Sequence, residues 1–167
     1  MDLGILLLRI LLAALLFGHS TQKLLGWFGG AGLTGTAKVF ELWGFVPARR
    51  MVALAGASEL LGAGSIGLGL LTPGGCAAVV GTMAVAAVAT SPQGFWAQKG
   101  GCEVPFCYGA LAAVVGFTGP GRWSLDHALG LTDWSGAAWG VGALAVGLAA
   151  AVVPVAGRAR VLRGRGR

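Results

Sequence analysis

The chain has 167 residues, 56% of them hydrophobic and 11% charged, with 31 glycines and a formal net charge of +6. So little charged sequence cannot solvate an aqueous domain of this length, which excludes an ordinary soluble globular fold and points to a bundle of membrane helices. The basic excess alone would suit nucleic acid, but Arg158, Arg160, Arg163, Arg165 and Arg167 follow directly on an apolar run. Arginines in that position fix topology or meet anionic lipid, and no nucleic-acid partner is expected.

Five apolar runs are read as spans of an all-α membrane protein. The first, Leu3 to Leu25, has Asp2 before it and Arg9 inside it. No small-residue cleavage site follows, so it reads as a retained span and not a secretory signal. Gly26 to Pro47 is a long, Gly-rich link; its stretch from Thr36 to Trp43 sets Val39, Phe40 and Trp43 on a short interfacial helix. Ala48 to Leu71 is the second span, Thr72-Pro73 a tight turn, and Gly74 to Ser91 the third span. Val104 to Gly119 is the fourth, and its sixteen residues fall just short of the roughly 17 to 25 that a crossing helix needs. Gly136 to Gly157 is the fifth. The loops Pro92 to Glu103 and Pro120 to Ser135 carry Trp96, Trp123, Trp134 and Arg122, residue types that favour the headgroup zone. With the N-terminus outside, Lys23, Lys38, Arg49, Arg50, Lys99 and the arginine tail all fall inside, leaving Arg122 as the main outer charge. No internal repeat is evident.

Glu59 lies about 16 Å along the second span, half of a hydrocarbon core roughly 30 Å thick. A lone charge at that depth costs roughly 2.5 to 3.5 kcal/mol, so it should face the bundle interior and be paired. If the first two spans are antiparallel with level midpoints at Ala14 and Glu59, Arg9 and His19 each lie about five residues, roughly 7.5 Å, from the carboxylate's level. His19, Gln22 and Lys23 follow i, i+3, i+4 spacing and share one helix face. Glu59, His19, Arg9, Gln22 and Lys23 therefore form a candidate intramembrane cluster, which either locks helix register or handles a proton; polar groups in membrane bundles more often serve packing.

Other signals carry less. Cys102 and Cys107 are candidate redox thiols, but their spacing is neither that of a C-x-x-C centre nor of a zinc ribbon, and Cys76 reads as a small core residue. Gly62 to Gly67 matches G-x-G-x-x-G inside an apolar helix with no preceding strand, so its glycines serve close helix approach, as do Gly136 and Gly140. His127 beside Asp126 is a single imidazole without a ligand cluster, and no metal site is expected. No catalytic triad signature is visible.

The string GHSTQKLLGWFGGAGLTGT from Gly18 to Thr36 resembles the DoxX family of bacterial membrane proteins, as do LAGASELLG from Leu54 to Gly62 and Gly69-Leu70-Leu71-Thr72-Pro73. GFWAQKGGCE from Gly94 to Glu103 and GPGRWSLD from Gly119 to Asp126 are similar to the family's later loops, so the resemblance covers about Leu7 to Asp126. It implies a compact four-helix membrane bundle, with relatives linked to quinone-dependent oxidation of sulfur compounds and to membrane redox complexes. The chain departs from that pattern at Thr90-Ser91, where the family usually has a histidine, and at Cys102 and Val104, which replace aromatic residues around the loop glutamate. A fifth span and an arginine tail are additional. The expected organisation is a DoxX-like four-helix domain over 1–130, an added span over 131–157 and a basic cytoplasmic tail over 158–167.

Two function classes are carried forward. One is a subunit or scaffold, without chemistry of its own, of a membrane redox or stress-response complex in the bacterial plasma membrane. The other is an oxidoreductase component that holds a quinone near Glu59, His19 and Arg9. A small-solute transporter is the weaker third, since neither paired broken helices nor an inverted repeat is seen.

Overall fold

The computed structural model of the chain describes residues 2–131 and 133–166. Among them are seven α-helices and no strand: α1 (Asp2–Leu25), α2 (Gly32–Leu42), α3 (Ala48–Leu68), α4 (Thr72–Thr90), α5 (Glu103–Thr118), α6 (Leu125–Ala128) and α7 (Ala137–Arg165). The helices α1, α3, α4 and α7 are long and apolar enough to cross a membrane, and α5, with 16 residues, is the short one that its apolar run foretells. The short helix expected between the first two spans is α2; it starts at Gly32 and not at Thr36, and Trp43 is its C-cap.

A short turn makes α3 and α4 antiparallel, whereas longer links join the other spans, and the bundle builds outward from that central pair. α3 packs on both α1 and α4; α5 and α7 pack on α4 and on each other, and α2 lies across α3 and α1. Leu12 and Leu16 of α1, Ile66 of α3, Val79 of α4 and Val115 of α5 are fully buried at the centre. Leu7, Leu11, Leu61, Val146 and Val152 point outward and exposed, the arrangement of a bundle whose outer surface meets lipid tails.

One end of the bundle is tied by polar contacts. α3 stops at Gly69, whose φ of 63° suits glycine, and a Cβ there would collide with the Arg9 guanidinium. Leu71 follows with φ 50°, a left-handed conformation that costs a side-chain-bearing residue on the order of 1 to 3 kcal/mol. The buried carboxylate of Asp126 holds it: the Leu71 amide donates to Oδ1 at 2.7 Å, and the Thr72 amide and hydroxyl donate to Oδ2 at 3.0 and 2.7 Å. Thr72 and Pro73 are therefore the first residues of α4, with proline at the helix start, and the turn lies just before them at Gly69 to Leu71.

α7 differs from its sequence expectation in length. The segment from 158 to 165, read from composition as a tail, continues the helix to Arg165. Hydropathy ends near Gly157, but Arg, Ala and Leu are strong helix formers and sustain it further. Leu162 and Arg158 lie against Gly44, and Arg165 Nη1 donates to the Glu41 carbonyl at 2.8 Å, so the basic end is docked beside α2. Arg167 lies outside the described residues. α7 is also an integral wall of the bundle, because it meets α4 through paired glycines. A Cβ on Gly81 would come 2.8 Å from the Gly147 carbonyl oxygen, and one on Gly147 would come 2.6 Å from that of Ala77.

Candidate functional site

The register between α1 and α3 decides which residues meet Glu59. Ser20 Oγ donates to the Gly56 carbonyl at 2.7 Å, and the Leu24 side chain fills the space that the missing Gly56 Cβ leaves. Near the other end of α3, Arg9 Nε donates to the Ile66 carbonyl and Nη2 to that of Gly67, both at 2.8 Å. Its Nη1 donates to the Pro120 and Trp123 carbonyls at 2.6 and 3.0 Å. Arg9 is thus a cationic cap on the α3 C-terminus, where free carbonyls and the helix dipole favour it, and it is not a partner of Glu59. The midpoints of the two helices are accordingly not level, and the turn of α1 beside Glu59 is the one from His19 to Lys23.

Lys23 is the partner. Its Nζ forms an ion pair with Glu59 Oε1; the Glu59 side chain is fully buried, whereas that of Lys23 is 24% exposed. Lys23 stands in the last turn of α1, and its long stem lets the charge reach the buried carboxylate from there. Glu59 Oε2 is buried and has no hydrogen-bond partner among the described residues. His19, one turn before Lys23, packs edge-on to the Tyr108 ring at 5.4 Å between centroids. Gln22 turns the other way, its Nε2 donating to the Phe28 carbonyl at 3.3 Å in the link after α1. The proposed five-residue cluster therefore divides: His19, Lys23 and Glu59 come together, and Arg9 and Gln22 serve other contacts.

These three residues line a cavity of about 620 Å³. Its walls come from α1, α3, α4, α5 and α7, and Phe40, Trp43 and Phe45 stand at the α2 end. Tyr108, Ser58 and Thr82 add hydroxyls, and apolar residues such as Met51, Leu54, Val85 and Val153 make up most of the rest. That size and lining, apolar with a few convergent polar groups, are those of a small-molecule site. Thr90 lines it too, with its hydroxyl donating to the Ala86 carbonyl at 2.9 Å.

The family model described as DoxX matches residues 4–92, more than half of the chain, and runs from α1 through α4. The chain belongs to the DoxX family. It is a multi-pass integral membrane protein with an all-α bundle. The DoxX match includes His19, Lys23 and Glu59, while Tyr108 and the α7 wall lie beyond it. No curated protein and no solved structure matches the chain.

Two residues of this DoxX protein matter more than the sequence suggests. Tyr108 is the chain's one tyrosine and sits in an apolar run; a polar-tipped ring inside a span is the signal that could have marked it. Asp126, placed by sequence at an interface, is buried and clamps the α3–α4 turn; its acceptors serve backbone amides, which leave no trace in side-chain pattern. The three cysteines are free: Cys76 is buried in the core, Cys102 precedes α5 half-buried and Cys107 is exposed on α5. Gly62 packs against Val79 of α4 and Gly140 against Phe117, whereas Gly136 precedes α7 in open space.

Proposed function

We propose that this DoxX-family protein is a membrane redox component that holds a lipid-soluble quinone in the cavity beside Glu59. The observation that carries the reading is a buried carboxylate–lysine pair opening on a largely apolar cavity within a membrane bundle. The residues present fit such a ligand. Apolar walls suit a substituted ring and its tail, and the Lys23 ammonium has three donors, of which Glu59 takes one. His19 and Tyr108 add polar groups on the same cavity surface. A bound quinone would supply two-electron redox chemistry, and the chain's own part is to bind the ring, exclude water and present Lys23 and Glu59 to its polar edge.

Redox partner proteins would exchange the electrons, so the scaffold expectation and this reading differ in whether the chain itself holds the ligand. Lys23, Lys38, Arg49, Arg50, Lys99 and the arginines of α7 gather at the α2 end, against Arg122 at the other, which supports a plasma-membrane orientation with the C-terminus in the cytoplasm. In that orientation Cys102 stays in a reducing compartment.

Extraction tests the proposal. Protein purified in mild detergent is expected to carry near-stoichiometric lipid quinone, read from the redox difference spectrum of an organic extract, and an Ala86→Trp variant, which fills the cavity, is expected to lose it. Folded wild-type protein free of quinone would remove the reading.

A further inference from the structure

Glu59 brings to the cavity an acceptor that the bundle does not satisfy. Lys23 takes Oε1, while Oε2 is buried without a donor among the described residues. The hydroxyls of Ser20, Thr82 and Thr90 are spent on the Gly56, Ala78 and Ala86 carbonyls, and those of Ser58 and Tyr108, which also line the cavity, do not donate to Oε2. In the ion pair with Lys23, Glu59 leaves Oε2 as an open acceptor. Whatever fills the cavity is therefore met by a fixed acceptor in a water-poor setting, where an open acceptor is costly and a matched donor is worth most.

We infer that the site is selective for the hydroxyl-bearing form of its ligand. On the quinone reading above, on which this rests, the hydroquinone binds more tightly than the quinone, with a ring hydroxyl donating to Glu59 Oε2. The oxidised ring offers only carbonyl acceptors, and a carbonyl turned to Oε2 sets acceptor against acceptor. Lys23 can serve an oxygen of either form and so does not discriminate; Glu59 does. Sites built around a buried hydrogen-bonding group reject analogues that lack the complementary group far more strongly than apolar pockets reject a change of size.

The test uses the full chain in detergent under deoxygenated buffer, titrated calorimetrically with a decyl-substituted benzohydroquinone, the corresponding benzoquinone and the dimethyl ether of the hydroquinone. The hydroquinone is expected to bind at least about tenfold more tightly than the quinone, a gap that one good hydrogen bond can supply. The ether, similar in shape but without a donor, is expected to bind no better than the quinone. Glu59→Gln, whose amide can donate as well as accept, is expected to erase the preference. Equal affinities for hydroquinone and quinone, or an ether that binds as tightly as the hydroquinone, would overturn this inference and leave the quinone reading in place. Failure of all three to bind would overturn both. The wild-type comparison with the ether decides the matter even where the variant does not fold.

Discussion

At the scale of single residues, the Lys23–Glu59 pair is asymmetric, and the asymmetry predicts how it breaks. Glu59 is fully buried and Lys23 is not. Lys23→Met strands a buried carboxylate and is expected to cost about 3 to 5 kcal/mol, read as a lower melting temperature in detergent. Glu59→Leu leaves a long-stemmed cation that can re-aim at the headgroups, so its cost should be smaller. The double variant should melt above Lys23→Met alone; equal melting of the two would show that the pair does not contribute in this way. The sequence made Glu59 legible through its depth in an apolar run, but it named Arg9 and His19 as partners because it set the helix midpoints level. Arg9 is spent instead on backbone carbonyls at the end of α3, acceptors that every residue carries and that no side-chain pattern reveals. Lys23 was in the candidate group by helix face, yet its charge pointed to topology before it pointed to pairing.

Among helices, the contact between α4 and α7 depends on the absence of side chains at Gly81 and Gly147. Gly147→Ala drives a methyl toward the Ala77 carbonyl and is expected to separate the helices, lowering the melting temperature by several degrees. Gly142→Ala, on the same helix with open space around it, should be neutral or slightly stabilising, since alanine is favoured over glycine in a helix by about 1 kcal/mol. Equal effects of the two substitutions would show that close approach is not what holds α7. The long apolar helices were legible, because lipid demands continuous apolar length, but the sequence sets the α3–α4 turn at Thr72-Pro73, and the fold makes it at Gly69 to Leu71. Nor was the end of α7 legible, since hydropathy reports where lipid stops and not where the helix does.

For the whole molecule, Asp2 meets Arg122 at one end of the bundle and Arg165 meets Glu41 at the other, so the termini are proposed to lie on opposite sides, and the distribution of arginine and lysine then sets which side is which. A reporter fused after Arg167 is expected to be active only in its cytoplasmic form; periplasmic activity would invert the proposed orientation and with it the compartment of Cys102. The two ends of the bundle are also built differently. At one, Arg9 and Asp126 join α1, the α3–α4 turn and the segment from 120 to 126 through hydrogen bonds to backbone. At the other, next to the cavity, the tip of α7 meets the end of α2 through the Arg165 hydrogen bond and the contacts of Leu162 and Arg158 with Gly44. A bundle with the larger share of its inter-helix hydrogen bonds at the Arg9 end is expected to part more readily at the α2 end, as a clothes peg opens at its jaws and not at its spring.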